Sequence, residues 1–344
     1  MRIALFNTVT PFVRGGAEIL VDDLYSQLEL RGHTVTLFRI PFPNDHGLSL
    51  LETILTAQNL NFDAYDMVIA FKFPAYCASH RRKVLWVLHQ FRQIYELFGH
   101  EYGLQDNDTG NALKNIITDI DIKEIRGAHK VFTIAKEVTK RLKKYNDLDS
   151  KVLNPPLLDE KRYYKGITGD FIFYLSRVDG LKRQHLAIEA MAYVKTDVKL
   201  IIGGKCDEPG YYKRLEEIIN KNNLSKKIKI ENRWIAEEEK LSYLANSLAV
   251  VYPPYKEDYG FITLEAFYSS KPVISCIDSG CPIDFVINSE NGFIVESTPQ
   301  ALAECFDKLY SNKILSEKMG EAAYKTIIEK NINWDETIRR LLCE

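Results

Sequence analysis

Short apolar runs alternate with amphipathic segments along all 344 residues of the chain. The run 84–88 is apolar throughout, which is typical of a parallel strand covered by helices on both faces. The segment 17–28 instead repeats its apolar residues at the spacing of one helix face. This alternation predicts six strands in each half of the chain, near residues 2–6, 34–38, 67–70, 84–88, 130–133, 151–153, 171–175, 198–202, 227–230, 248–252, 272–275 and 293–295.

The two halves predict an α/β protein with two Rossmann-like, doubly wound parallel-sheet domains that face each other across a cleft. The joint is expected at Pro155 and Pro156, because two successive prolines interrupt regular structure. The predicted boundaries are 1–155 for the first domain and 156–325 for the second, followed by a C-terminal helix over 326–344. Ligands bind such sheets beyond the carboxyl ends of the strands, so the loops that follow strands are where chemistry is expected.

The composition and net charge of the chain exclude some classes of binding partner. The chain has 45 Lys+Arg and 47 Asp+Glu, a formal net charge of −2, which provides no bulk charge for binding nucleic acid. The apolar runs are too short for a helix that spans a membrane, and no signal peptide is expected. The 6 cysteines have no paired spacing, which indicates reduced thiols and a cytoplasmic protein.

The first candidate loop ends in Gly15 and Gly16, where a helix is predicted to begin. Glycines at a helix N-terminus let an anion come close, and the helix dipole favours it. A plain loop-to-helix glycine pair explains the same residues equally well. A nicotinamide dehydrogenase is disfavoured, because the G-x-G-x-x-G fingerprint is absent and Arg39 ends the second predicted strand where an NAD site has an acidic residue.

The second candidate loop carries Arg177 and Lys182, which straddle a predicted strand-to-helix turn. Arginine binds two phosphate oxygens as a fork and lysine acts as a point charge, so the two side chains suit one polyanion. Taken alone, the pair is better interpreted as two solvated cations in a surface turn.

The third candidate region is the most informative, because a strand, two prolines, a glutamate, a helix start and a second glutamate follow in that order. A helix is predicted to begin near Gly260, so the amides of Gly260, Phe261 and Ile262 would point at an anion. Glu257 and Glu265 flank this helix start. Carboxylates accept hydrogen bonds from sugar hydroxyls, which predicts one carboxylate at each end of a diphosphate-linked ligand.

Taken together, these segments resemble the retaining glycosyltransferases of family 4, also called group 1, which have the two-domain GT-B fold. The resemblance covers nearly the whole chain and includes Arg-Gly-His at 31–33, Lys-Pro-Val-Ile at 271–274 and Asn-Gly-Phe at 291–293. It implies that the first domain carries the acceptor side and that the second binds the nucleotide sugar. It also implies that the final helix packs back on the first domain.

The resemblance implies a role for each residue of the candidate donor site. The residues that would contact or neutralise the donor diphosphate are Gly15, Gly16, Arg177, Lys182, Gly260, Phe261 and Ile262. Glu265 would hold the ribose hydroxyls and Glu257 the donor sugar. The catalytic set would consist of His89, Arg177, Lys182 and Glu257.

His89 follows directly on a predicted buried strand. By its residues alone it is best interpreted as a core histidine, whereas the resemblance places it near the donor sugar and the reacting carbon. Arg92 and Tyr95 follow it and, with the polar loops 42–49 and 99–111, are expected on the acceptor side.

The chain departs from the family pattern in one loop. Cys281 stands where the family often has a second glycine, and Asp284 stands where it often has glutamate. Asp278 and Asp284 are interpreted as sugar contacts or helix caps, and neither is included in the candidate site. These departures leave the identity of the sugar open.

The resemblance implies transfer of a sugar from a nucleotide diphosphate sugar, UDP rather than GDP, to an acceptor hydroxyl with retention at the anomeric carbon. The expected product is a cell-surface polysaccharide, a glycolipid or another glycoconjugate. The donor phosphate itself would take the acceptor proton, so no cofactor, metal or separate protein base is expected. The partners would be the nucleotide sugar and a carbohydrate or lipid-linked acceptor, with the oligomeric state open.

Two other functions remain open on the sequence alone. A metal-dependent glycosyltransferase of the other main fold would use an Asp-x-Asp motif, and the chain has this common pattern at 106–108, 119–121 and 147–149. A non-catalytic sugar-nucleotide-binding partner of another transferase would be expected to lack one or more site charges, all of which are present here.

A basic segment raises the question of membrane contact. Its cations, on one predicted helix, are Lys136, Lys140, Arg141, Lys143 and Lys144. A solvated helix face is the favoured interpretation. The alternative is weak peripheral docking to anionic lipid at the inner face of the membrane, as expected for a lipid-linked acceptor.

Overall fold

A computed structural model of the chain describes residues 1–42 and 48–343, so residues 43–47 of the predicted acceptor loop 42–49 lie outside the described residues. The chain divides into two compact units. One unit consists of residues 1–156 together with the segment that starts at Asn333, and the other consists of residues 157–332.

The strands lie where the apolar runs predict them. In chain order the described strands are β1 (Arg2–Val9), β2 (Thr34–Pro41), β3 (Met67–Lys72), β4 (Lys83–His89), β5 (Lys130–Thr133), β6 (Lys151–Val152), β7 (Phe171–Leu175), β8 (Lys199–Gly203), β9 (Ile228–Glu231), β10 (Ala249–Val251), β11 (Val273–Cys276) and β12 (Gly292–Val295).

The helices alternate with these strands. In chain order the described α-helices are α1 (Gly16–Leu30), α2 (Leu48–Asn59), α3 (Asp108–Arg126), α4 (Lys136–Asn146), α5 (Gln184–Ala190), α6 (Pro209–Lys221), α7 (Glu237–Asn246), α8 (Phe261–Tyr268), α9 (Pro299–Ser311), α10 (Lys313–Lys330) and α11 (Trp334–Leu342).

Each unit contains one six-stranded sheet whose neighbouring strands are all parallel. The strand order is β2-β1-β3-β4-β5-β6 in the first unit and β12-β11-β10-β7-β8-β9 in the second. The direction of winding reverses between β1 and β3 in the first sheet and between β7 and β10 in the second. The prediction of two doubly wound parallel sheets is confirmed, and the loops after these four strands are the expected ligand positions.

The sheet cores follow from the same apolar pattern. In β4 the residues from Val84 to Val87 are fully buried, as a central parallel strand requires. Trp86 satisfies its one polar group there, because its indole N–H donates a hydrogen bond to the Leu153 carbonyl at 2.9 Å. One face of α1 is buried at the predicted helical spacing, including Leu20 and Leu24.

The structure divides the predicted C-terminal helix 326–344. Helix α10 continues to Lys330 and ends where Asn331 adopts a left-handed conformation (φ 48°), and α11 begins after the side chain of Asn333 caps its first turn. Helix α11 packs within the first unit, where the Arg82 guanidinium donates to the Leu342 carbonyl at 2.7 Å.

Candidate functional site

The turn after β7 carries Lys182 in a fixed backbone conformation. The Lys182 amide donates to the backbone carbonyl of Asp179 at 3.1 Å and to its side-chain carboxylate at 3.0 Å. The next residue, Arg183, has φ 59° and caps the start of α5. The turn is therefore closed by local hydrogen bonds at the carboxyl end of a central strand, the position expected for a ligand.

Lys182 and Glu257 form an ion pair in this place. The Lys182 ammonium donates to the Glu257 carboxylate and, at 3.2 Å, to the hydroxyl of Tyr252. The two charged side chains are only 16% and 15% exposed. Burial, reinforced by the Glu257 carboxylate, raises the pKa of Tyr252 well above its usual value, so the phenol stays neutral. The structure thus brings together two of the predicted site residues from loops about 75 positions apart.

The backbone of Glu257 is held by the loop that contains Cys281. The Glu257 amide donates to the Ser279 carbonyl at 2.9 Å, and the Cys281 amide donates to the Glu257 carbonyl at 3.0 Å. Gly280 lies between them with φ 76°, and a Cβ atom there would lie 2.4 Å from the Glu257 carbonyl oxygen. Cys281 itself is fully buried. Both contacts use backbone atoms, so they would hold Glu257 whichever side chain stood at position 281.

Helix α8 begins where the sequence predicts it. Gly260 caps the helix with φ 78°, and the first backbone hydrogen bond of the turn runs from the Thr263 amide to the Gly260 carbonyl at 2.9 Å. The amides of Phe261 and Ile262 precede that bond and belong to the first turn, whose N–H groups have no partner within a helix. Together with the helix dipole they make this end of α8 positive.

Glu265 lies inside α8 and is held by two side chains that the sequence analysis missed. Its Oε1 atom accepts hydrogen bonds from the Tyr163 hydroxyl at 2.9 Å and from the Lys240 ammonium at 2.8 Å. Burial and the nearby carboxylate raise the pKa of Tyr163, so its hydroxyl remains a donor. Tyr163 and Lys240 lie 102 and 25 residues from Glu265, and no local motif indicates either contact.

Arg183 is a third residue that the sequence analysis missed. Its guanidinium donates to both carboxylate oxygens of Asp278, at 2.8 and 2.7 Å, and to the carbonyls of Pro253 and Pro254, at 2.6 and 2.9 Å. Although burial opposes it, Arg183 holds the pKa of Asp278 below its usual value. Arg183 therefore connects the Lys182 turn to the Pro253-Pro254 turn that leads to Glu257. The Asp278 carboxylate is bound to the same guanidinium.

Arg177 lies on the same turn as Lys182 but with a different environment. Its side chain is 55% exposed, and its guanidinium lies 3.7 Å from the Asp179 carboxylate. Its role at the donor diphosphate stays a prediction.

In the first unit, the predicted anion position at the start of α1 is filled by the chain itself. The Gly15 amide donates to the Glu18 carboxylate at 2.9 Å, and the other oxygen of Glu18 accepts from Lys72 at 2.9 Å. Gly16 is the first residue of the helix. The glycine pair therefore forms a capped helix start, and a role for Gly15 and Gly16 in donor binding stays a prediction.

His89 is the last residue of β4 and is half-buried. Its Nδ1 atom lies 2.7 Å from the carbonyl oxygen of Gln90. A carbonyl only accepts, so Nδ1 carries the hydrogen in this contact, and in the neutral form of the ring Nε2 is the acceptor nitrogen. Nearby, Arg92 donates to Glu96 at 2.7 Å and Tyr95 is buried, so both side chains that were expected on the acceptor side have protein partners.

The Asp-x-Asp pattern at 119–121 has a structural explanation. Asp121 is fully buried in α3 and accepts hydrogen bonds from two tyrosines and a glutamine. Over residues 1–42 and 48–343, no three His, Cys, Asp or Glu side chains are grouped so that they could hold a metal ion. Independence of the reaction from metal stays a prediction.

The basic face of α4 is smaller than the sequence suggests. Arg141 is buried and bound to Glu96 at 2.9 Å and Glu137 at 3.2 Å, so it does not belong to a surface cluster. Lys143 is paired with Asp147 at 2.7 Å. Among the helices that the structure describes, none combines the length and the apolar character needed to span a membrane.

Comparison with known proteins places the second unit in a family. Residues 160–326 match the family model "Glycosyl transferases group 1". The alpha-1,3/1,6-mannosyltransferase ALG2 of Dictyostelium discoideum is 27% identical over 190 residues, which are 50% of this chain and 43% of that protein. The chain therefore spans less than half the length of this curated relative.

Two solved structures show the same fold over nearly the whole chain. Sucrose-phosphate synthase from Thermosynechococcus elongatus has a TM-score of 0.79 at 16% identity, covering 98% of this chain and 96% of that one. Anabaena Alr3699/HepE in complex with UDP-glucose has a TM-score of 0.74 at 18% identity, covering 99% of both chains. The second unit is thus similar to the glycosyl transferases group 1 family over residues 160–326, and the chain has the GT-B fold.

Proposed function

We propose that the protein transfers a sugar from a nucleotide diphosphate sugar to an acceptor hydroxyl, with retention at the anomeric carbon. The observation that carries the proposal is the ion pair of Lys182 and Glu257 at the carboxyl ends of β7 and β10, where the second sheet reverses its winding. The positive end of α8 follows in the same loop. A diphosphate and its attached sugar fit this combination of a cation, helix amides and a carboxylate.

The difficult step is breaking the bond between the sugar and the diphosphate, which leaves negative charge on the phosphate oxygens. Lys182 and the amides of Phe261 and Ile262 are held in place before any ligand arrives, so stabilising that charge requires little reorganisation. The donor phosphate takes the acceptor proton in the proposed reaction, and no metal is needed. His89 is proposed to act as a catalytic residue.

Glu265 and Glu257 each bind a different part of the donor in this proposal. Glu265 uses Oε1 for Tyr163 and Lys240, which leaves Oε2 for the ribose hydroxyls. Glu257 binds the hydroxyls of the donor sugar, and Arg183 maintains the loop that presents it. These roles require acceptor atoms, which ionised carboxylates supply.

UDP is the proposed nucleotide. It is supported by the fold shared with Alr3699/HepE, whose structure contains UDP-glucose. The proposed product class is a cell-surface polysaccharide, a glycolipid or another glycoconjugate, and the similarity to a mannosyltransferase supports a sugar acceptor.

The test combines nucleotide binding with product analysis. Calorimetric titration with UDP, UDP-glucose, GDP and GDP-mannose is performed on the wild-type chain, on Lys182→Ala and on the control Lys221→Ala, an exposed lysine at the end of α6. UDP should bind best, and only Lys182→Ala should lose about tenfold or more in affinity. Product formed with the best donor is examined by NMR for its anomeric configuration, with and without EDTA.

Three outcomes would contradict parts of the proposal. Binding of a nucleotide sugar without turnover on any acceptor tried would favour the non-catalytic binding partner. An inverted product would exclude the retaining mechanism. Loss of turnover in EDTA, restored by a divalent cation, would exclude metal independence.

A further inference from the structure

Asp121 is a buried carboxylate that the proposed reaction does not use. It is 0% exposed in α3 of the first unit. Its Oδ1 accepts from the Tyr76 hydroxyl at 2.6 Å, and its Oδ2 accepts from the Tyr95 hydroxyl at 2.7 Å and from the Gln90 amide at 3.2 Å. In the part of the chain that the structure describes, no lysine or arginine pairs with it.

Two of the donors to Asp121, Gln90 and Tyr95, are joined to each other through Asn146. Gln90 donates a second hydrogen bond, from the same Nε2 atom, to the Asn146 side-chain oxygen at 2.6 Å. Asn146 in turn donates to the Tyr95 hydroxyl at 3.0 Å. The four side chains form a closed ring of hydrogen bonds, which we call the Asp121 ring. Because Nε2 serves two acceptors, the orientation of the Gln90 side chain is fixed.

The Asp121 ring is one residue away from His89. Gln90 holds the ring with its side chain and accepts the hydrogen of His89 Nδ1 with its carbonyl oxygen, at 2.7 Å. Tyr95 anchors the other end of the same short segment. Residues 90–95, which directly follow His89, are therefore attached to the buried carboxylate at both ends.

This arrangement lowers the stability of the unit. A buried carboxylate without a cation carries an unfavourable desolvation free energy, and burial raises the pKa of Asp121 to about 6. Glu124, one turn further along α3, shows how a partly buried carboxylate is usually stabilised, because it forms an ion pair with Lys83 at 3.0 Å. An asparagine would fill the same volume as Asp121 without the charge, but its NH2 group would replace one of the two oxygens that accept these three hydrogen bonds, so the ring requires the carboxylate.

We propose that Asp121 is a positioning residue for His89, acting through Gln90. By fixing the Gln90 carbonyl it holds the imidazole in one orientation with the hydrogen on Nδ1, which keeps Nε2 as the acceptor nitrogen of the neutral ring. This inference rests on the proposed function, because the reaction is what gives His89 its use.

The test compares Asp121→Asn with Glu124→Gln in the full chain. Both variants replace a carboxylate by an amide on the same helix, but only Asp121 belongs to the ring. Asp121→Asn should lower kcat by about tenfold with the KM for the donor unchanged, since misplacing a reacting group slows chemistry more than binding. Glu124→Gln should leave both constants near wild type.

A double-mutant cycle separates positioning from a general structural effect. If Asp121 acts through His89, the variant that combines His89→Ala and Asp121→Asn should be no slower than His89→Ala alone. Equal additional losses in both backgrounds would overturn the proposal. Gln90→Met removes the link while leaving Asp121 in place, and it should reproduce the kcat loss. Gln90→Met also provides the test if Asp121→Asn fails to fold.

A spectroscopic measurement tests the positioning role of Asp121 without relying on the proposed sugar transfer. In ¹⁵N NMR of the imidazole nitrogens, wild-type His89 should show a protonated Nδ1, and Asp121→Asn should show exchange between the two tautomers. If the chain transfers no sugar at all, the proposed function fails while this measurement still tests the link. An unchanged Nδ1 signal in Asp121→Asn would overturn the positioning role.

Discussion

The two units contain buried ion pairs of similar exposure that have different surroundings. Lys182 and Glu257 are 16% and 15% exposed, and Lys72 and Glu18 in the first unit are both 13% exposed. Lys182 lies on the turn after a central strand, beside the start of α8. In the Lys72 pair, the Glu18 carboxylate instead accepts a hydrogen bond from the Gly15 amide at the start of α1.

The comparison teaches that burial and pairing alone do not identify a binding site. In the first unit the helix start is already neutralised by Glu18, so an anion would have to displace a carboxylate there. In the second unit, among the residues that the structure describes, Gly260 caps the start of α8 without a side-chain hydrogen bond, and Lys182 is attached to a carboxylate that suits a sugar. Donor chemistry is therefore expected at the second pair.

The largest expected effect is the loss of activity in Lys182→Ala. Removing one preorganised cation from the leaving diphosphate should lower kcat/KM by about 100-fold, measured with saturating acceptor. The matched variant Lys72→Ala should keep kcat/KM per folded molecule within about threefold of wild type.

The stability of the two variants should fall by similar amounts. Each substitution leaves a carboxylate of similar burial, Glu257 or Glu18, without its cation, which should lower the free energy of unfolding by about 3 kcal/mol in urea titration. Equal losses of activity in the two variants, or normal turnover in Lys182→Ala, would remove the distinction between the pairs.

The second prediction concerns the pH dependence of stability in the first unit. Asp121 has a folded-state pKa of about 6 against an ordinary value of 3.8, so between these values the folded chain binds the proton more tightly than the unfolded chain. This group therefore makes the unit less stable as the pH rises from about 4 to above 6, by roughly 3 kcal/mol. The groups that donate hydrogen bonds to Asp121 are the neutral phenols of Tyr76 and Tyr95 and the Gln90 amide, and the buried Cys77 thiol lies near enough to interact with its charge.

Asp121→Asn removes that dependence. The difference in Tm between wild type and Asp121→Asn should change across the pH interval 4 to 7, because only wild type loses this stability as the pH rises. The difference in Tm between wild type and Glu124→Gln should not change in that direction. A wild-type profile parallel to that of Asp121→Asn would show that Asp121 titrates as it does in the unfolded chain.

The third prediction compares two glycines at helix starts. Gly260 has φ 78°, and a Cβ atom there would lie 2.6 Å from a ring carbon of Tyr252, so Gly260→Ala should lose about 2 kcal/mol of unfolding free energy and disturb the Lys182 site. Gly15 has φ −134° and space for a Cβ atom 3.6 Å from the Glu18 carboxylate. Gly15→Ala should therefore lose less than about 1 kcal/mol. Similar losses in the two variants would contradict this difference.

The sheets were predictable because apolar runs report burial on both faces, and every predicted strand is present. The start of α8 was predictable for a similar reason, since two prolines and Gly260 mark it locally. Asp121 shows the opposite case. Its Asp-x-Asp pattern is too common to indicate a metal, and no local pattern predicts the tyrosines from other elements that surround it in the structure.

The supports of the candidate site were not predictable from the sequence. Tyr163, Lys240 and Arg183 reach their partners across 102, 25 and 95 residues. Surface lysines and arginines have the same local appearance, so only the tertiary fold distinguishes them. Arg183 also occupies a left-handed position, where sequence preference favours glycine or asparagine.

The smallest expected effect tests whether Glu265 recognises the ribose. Its Oε1 is occupied by Tyr163 and Lys240, so in Glu265→Gln the oxygen should stay with them and the amide nitrogen should face the ligand. Wild type should bind UDP about tenfold more tightly than 2′,3′-dideoxy-UDP, because the lost hydroxyls leave a carboxylate oxygen unpaired. In Glu265→Gln the ratio should fall towards one, whereas Glu18→Gln in the first unit should leave it unchanged. A ratio unchanged in Glu265→Gln would move ribose recognition away from α8, and with it the assignment of the donor to the second unit's helix start.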